Sequence, residues 1–319
     1  MRFPLPLLLL VAACGGADPL PAAVPAGPAP RSGFGLVWDT HSSRLVLFGG
    51  TGLEGDSAVR YDDTWEWDGE TWSLVPGPGP GARSDVQMAF DTRRGVTLLF
   101  GGVGAGVDDA TWEYDGRRWR RRDLAGPPRR SLGGMAFDRE LGYAVLFGGR
   151  DANRTALADT WLYDGDVWQR VDAPGPGPRG AFAMTWSPRR GGVMLFGGYQ
   201  DSTLRDLWSF DGARWALVSA DGPARLHHGL AYDVPRSRLV VTGGFDETGR
   251  SGDTWEWDGT GWWRADSTGT PRAEHEAVFA PGRGVLLYGG VVGQGMAVNE
   301  RTRSGDVLLW TGSAWRPAH

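Results

Sequence analysis

Aligned on an arginine, residues 31–319 divide into six segments of nearly equal length. Arg31, Arg83, Arg130, Arg179, Arg225 and Arg272 stand 52, 47, 49, 46 and 47 residues apart. Eight residues after each comes an acidic or small residue: Asp39, Asp91, Asp138, Ser187, Asp233 and Ala280. A fixed period near 50 means that one supersecondary unit is repeated. Such a unit cannot bury its apolar surface alone, so the chain must form a propeller or a stacked array.

Each segment reads as four strands. The first ends on an aromatic residue: Trp38, Phe90, Phe137, Trp186, Tyr232 or Phe279. The second is an apolar run closed by Gly-Gly, as in RLVLFGG at 44–50 and GVLLYGG at 284–290. An uninterrupted apolar run predicts a strand buried on both faces. The third carries Asp-Thr-Trp or a variant of it, and the fourth begins at a Trp seven residues beyond the Trp of that group. Asp-Gly between them, as at Asp68-Gly69 and Asp258-Gly259, is a hairpin signal. Of the 17 tryptophans only Trp263 falls outside a repeat slot, which assigns the rest to packing between neighbouring sheets. An aromatic row for sugars or bases would instead be confined to one face or loop.

Paired glycines after an apolar strand, an aromatic in the third strand and a Trp at fixed distance beyond it resemble the kelch repeat. The resemblance covers residues 31–319 and implies an all-β fold, a six-bladed β-propeller of four-stranded antiparallel blades around a channel. The blades are expected at about 31–78, 79–126, 127–175, 176–221, 222–268 and 269–319. The sixth departs from the pattern, with Leu308 in the Trp slot and Thr311 for the turn Asp, so its edge is expected to be looser. Kelch propellers include interaction modules, sugar mutarotases and a copper radical oxidase, galactose oxidase. The oxidase's site requires a Cys cross-linked to Tyr. The sole Cys here, Cys14, precedes the propeller, which rejects that activity.

The N-terminus, MRFPLPLLLLVAACGG, reads as an export signal over residues 1–13, with an apolar run too short to span a bilayer as a helix. Val11-Ala12-Ala13-Cys14 resembles the lipobox of bacterial lipoproteins, which implies lipidation of Cys14 and anchorage in the cell envelope. The alternative is an ordinary secretory signal. Residues 14–30 are mostly Gly, Ala and Pro and suit a tether. All 33 basic residues are Arg, and the net charge of −5 offers no general attraction to nucleic acid. The run RRWRRR at 117–122 straddles a repeat Trp, which places it on an outermost strand where charge discourages edge pairing.

Loops after the second and fourth strands of such a blade open on one face. The longest loops between Gly-Gly and the third strand are residues 51–62 and 291–305. Ring closure brings these two together. Glu54, Asp56, Arg60, Asn299, Glu300 and Arg301 are therefore candidate binding residues, neutral insertion at the chain ends being the alternative. His228 and His275 share one slot in adjacent segments, with His227, Glu274 and Glu276 beside them, as the richest titratable cluster. They could bind a metal or supply acid–base groups, whereas the kelch resemblance implies structural hydrogen bonds from a His at this position. Arg31, Arg83, Arg130, Arg179, Arg225 and Arg272 are expected to pair with Asp63, Asp159, Asp206, Asp253 and Asp306 in a structural ring, an anion-binding ring being the alternative. No zinc-ligand spacing is present, so no metal and no cofactor are expected.

The function expected is a cell-envelope interaction module, monomeric, binding a protein or glycan through loops on one face. The alternative is a mutarotase-like, epimerase-like or other carbohydrate-active enzyme at the channel mouth.

Overall fold

A computed structural model describes residues 26–105, 109–189, 191–267, 269–295 and 302–318. The fold is all-β: six four-stranded antiparallel sheets form the blades of a propeller. In blade one the strands are Gly35–Asp39, Arg44–Phe48, Thr64–Trp67 and Trp72–Val75, paired in chain order from the axis outward. Blade six repeats this with Glu276–Ala280, Gly284–Tyr288, Val307–Trp310 and Trp315–Pro317. Its three-residue outer strand is shorter than its counterparts, in keeping with its degenerate sequence.

The apolar second strands do face protein on both sides. Six apolar clusters form, one at each junction between blades. In blade one, Leu45 and Leu47 join the cluster shared with blade six, while Val46 and Phe48 join the cluster shared with blade two. Alternation along one strand thus supplies two interfaces at once. The junction of blades six and one is packed in the same way, with Tyr288 edge-on to Phe34 at 5.2 Å and 5.1 Å from Trp72. Each blade is built from one contiguous stretch of chain, and no strand is exchanged to close the ring.

Gly-Gly has a defined task. The N–H of the second glycine donates to the carbonyl of the next blade's repeat arginine in all six blades, from Gly50 to Arg83 (2.9 Å) round to Gly290 and Arg31 (2.9 Å). The first glycine has positive φ in every pair. A Cβ there would lie 2.2–3.1 Å from that same arginine carbonyl. Only glycine admits both the conformation and the approach.

The Asp-Thr-Trp group also resolves into separate jobs. Asp159 accepts two bonds from the Arg130 guanidinium (2.6 and 2.8 Å) and one from the Trp161 indole (2.7 Å). Asp63, Asp206 and Asp253 do the same for Arg31, Arg179 and Arg225 and for Trp65, Trp208 and Trp255. Thr111 accepts from the next blade's Trp168 (2.7 Å), and Thr64, Thr160 and Thr254 repeat this with Trp119, Trp215 and Trp315. The motif therefore ties its own blade to the arginine and the following blade to itself.

Two blades break the arginine pattern. Blade two has Ala110 in the Asp slot, and the buried Trp112 indole N–H has no acceptor among the described residues. In blade six, Arg272 donates to Gly289 O (3.0 Å), while Asp306 accepts from Ser304 (2.9 Å). The expected Arg272–Asp306 ion pair is not formed. Burial, partly offset by the Asp306 charge, lowers the Arg272 guanidinium to about 10.

RRWRRR lies across the outer hairpin of blade two, with Arg120 paired to Asp115 (3.1 Å), Arg121 to Asp123 (2.8 Å) and Arg122 to Glu113 (3.0 Å). Nearby carboxylates therefore offset much of its charge.

Candidate binding rim and channel mouth

Two residues before the start of each inner strand the backbone is left-handed: Gly33 (φ 62°), Asp85 (55°), Leu132 (56°), Ala181 (58°), His227 (52°) and Glu274 (58°). Their amides form a closed collar. Each N–H donates to the equivalent carbonyl of the preceding blade: Asp85 to Gly33 (2.6 Å), Leu132 to Asp85 (3.2 Å), Ala181 to Leu132 (2.9 Å), His227 to Ala181 (2.8 Å), Glu274 to His227 (2.9 Å) and Gly33 to Glu274 (3.1 Å). Left-handed backbone costs a non-glycine residue roughly 1–2 kcal/mol. Six mutual hydrogen bonds hold it in place.

The collar brings Asp85, His227 and Glu274 to one mouth of the channel. Burial raises the Asp85 carboxyl, the charge of His227 opposes that rise, and Glu274 adds to it. Arg60, from the blade-one loop, is close enough to lower Asp85 as well. Asp85 is absent from the sequence candidates. It occupies the same slot as His227 and Glu274, two residues after the repeat arginine, and that register is the signal that identifies it.

His228 and His275 lie one position further in, where Phe34, Val86, Gly133 and Phe182 stand in other blades. They are 4% and 2% exposed, and among the described residues His228 has no hydrogen-bond partner on either ring nitrogen. Structural side-chain hydrogen bonding is thus not realised at His228, while at His275 the Thr242 backbone slightly opposes the fall in pKa that burial causes. His228 packs edge-on against Phe196 at 5.3 Å. Burial, reinforced by Arg225, lowers His228 to about 3, and burial with Arg272 holds His275 well below its ordinary value. Burial thus favours the neutral form of both rings near pH 7.

Glu276 lies inside the channel, at a slot that is Gly35, Gln87, Gly134, Ala183 and Gly229 elsewhere. Burial pushes its carboxyl up to about 8. The axial cavity, of about 220 Å³, is lined by the inner strands of all six blades. Among the described residues, no group of three or more His, Asp or Glu side chains is placed to hold a metal ion.

Around the mouth stand the loops. Residues 51–60 form an extra hairpin, Thr51–Glu54 against Ser57–Arg60, with Glu54, Asp56 and Arg60 exposed. Tyr61 packs under the Arg31 guanidinium at 4.0 Å. Phe245–Asp246 and Gly249–Arg250 make a second small hairpin in blade five. From it Arg250 donates to the blade-six loop at Gly293 O (2.8 Å) and Gln294 O (3.2 Å). Arg303, at the far end of that loop, donates to Ser32 Oγ (3.2 Å) and lies 3.5 Å from Thr51 Oγ1. The loops of blades five, six and one are thus laced together. Asn299, Glu300 and Arg301 lie outside the described residues, as do Cys14 and the expected export signal. No family model matches the chain, and the curated proteins yield no significant relative.

Proposed function

We propose that this is a kelch-type interaction module of the cell envelope, tethered through Cys14, whose loop face binds a protein or glycan partner. The repeat motifs support kinship with kelch propellers. The observation that carries the binding reading is the hairpin at residues 51–60, which stands outside the repeat and exposes Glu54, Asp56, Ser57, Ala58 and Arg60 beside the blade-six junction. Charged loops on a rigid scaffold suit recognition. A sugar mutarotase, epimerase or related enzyme at the mouth has less support. Its acid–base candidates His228 and His275 are buried, and burial favours their neutral form.

A photo-reactive phenylalanine at Ala58 tests the reading in intact cells, with Val167 on the opposite face as the control. A discrete adduct from position 58 alone is expected, and Cys14→Ser should move the chain from membrane to soluble fractions. Equal adducts from both positions would contradict the rim, and a membrane-bound Cys14→Ser chain would contradict the anchor.

A further inference from the structure

The other end of the channel has different chemistry, independent of the rim. Directly after each inner strand comes one residue: Thr40, Thr92, Arg139, Pro188, Val234 or Pro281. Only blade three places a charge there, so this is not a repeat requirement. Arg139 lines the axial cavity and lies over the Trp186 ring at 5.0 Å. Among the described residues it has no carboxylate partner, and burial alone lowers its guanidinium below the ordinary value. A guanidinium remains charged in a protein, so a partly buried one calls for an anion.

Two further donors line the same cavity. The Trp186 indole N–H and the Tyr232 hydroxyl are buried with no hydrogen-bond partner, and Tyr232 is only 3% exposed. Blades four and five thus contribute one unsatisfied donor each, beside the partly buried guanidinium of blade three. The walls beside them, Phe137 and Phe279 among others, are aromatic. The acidic groups of the channel belong to the other half. Glu276 precedes the Tyr232 level by three strand residues, or roughly 10 Å, and Asp85 and Glu274 lie beyond it at the collar.

We propose that this end of the channel binds a small organic monocarboxylate, paired to Arg139, with the Trp186 indole N–H and the Tyr232 hydroxyl as further donors and the aromatic walls enclosing its apolar body. One guanidinium matches one negative charge in a poorly solvated site. The planar fork suits a carboxylate in two-point contact. Phosphate, with its greater charge, would be left undercompensated. A cavity of about 220 Å³ restricts the occupant to a small molecule.

Calorimetric titration of the detergent-solubilised full chain with benzoate, benzamide and inorganic phosphate tests this. Benzoate binds saturably at one site, benzamide binds far more weakly, and phosphate does not compete. Arg139→Gln weakens benzoate at least about tenfold, as for a lost hydrogen bond to a charged group, and Tyr232→Phe weakens it several-fold. The unliganded melting temperature of Arg139→Gln should hold or rise, because the change removes a partly buried charge that has no carboxylate partner among the described residues, so lost binding cannot be read as misfolding. Absence of saturable benzoate binding, equal affinity in Arg139→Gln, or a preference for phosphate would each overturn the assignment.

Discussion

Replacing Trp168 by alanine lowers stability by about 3–5 kcal/mol, the range for deleting a large buried aromatic. The indole is 8% exposed, stacks on Tyr163 at 4.9 Å, packs against Phe100 of the preceding blade at 5.7 Å, and donates to Thr111 across the junction. Its removal opens a cavity between two sheets that the adjoining strands cannot collapse without breaking their own ladders. Trp263→Ala is the control. That ring is partly exposed on an outermost strand under the Arg238 guanidinium at 4.7 Å, a contact worth roughly 0.5–1 kcal/mol. Denaturant midpoints at unchanged slope measure both variants, and equal losses would refute the sorting of the tryptophans.

Glu276→Gln stabilises the protein at pH 9 and leaves it almost unchanged at pH 4. Burial raises the Glu276 carboxyl from 4.5 to about 8. Below pH 4.5 the group is protonated in folded and unfolded chains alike, so folding carries no ionisation penalty. Between 4.5 and 8 the unfolded chain ionises while the folded one retains its proton, and stability falls with rising pH. Above 8 the full penalty applies. At about 1.4 kcal/mol per unit the gain from the neutral amide at pH 9 is on the order of 3–5 kcal/mol. Unfolding midpoints of both proteins across pH 4–9 check this. Parallel curves would show that Glu276 ionises freely in the channel.

The blades were legible because their sequence signals are repeated. Gly-Gly, Asp-Gly and the tryptophan slots each recur at fixed positions, and each answers to one backbone or packing requirement. Four arginine–aspartate pairs were legible for the same reason, whereas Arg272 and Asp306 share the register and still do not pair. The collar was hidden. Leu132, Ala181 and Glu274 have no preference for left-handed backbone, and only the hydrogen bonds of neighbouring blades impose it. The histidines were conspicuous by type, but their surroundings come from blades four, five and six together, and these bury both rings and favour the neutral form. Arg139 was invisible for the converse reason. It lies among ordinary charged turn residues, and its isolation becomes apparent only when blade four sets Trp186 beneath it.

The reading of the loop face as the binding surface is tested most directly by deleting residues 54–57. This shortens the extra hairpin to the loop length of blade five, and the affinity for the partner captured at position 58 is then measured. The deleted residues are exposed and lie outside the six apolar clusters, so the melting temperature is expected to stay unchanged. Affinity is expected to fall at least about tenfold, as when part of an interface's energetic centre is lost. A stable deletion variant that binds with full affinity would contradict the account and move the functional surface away from this rim.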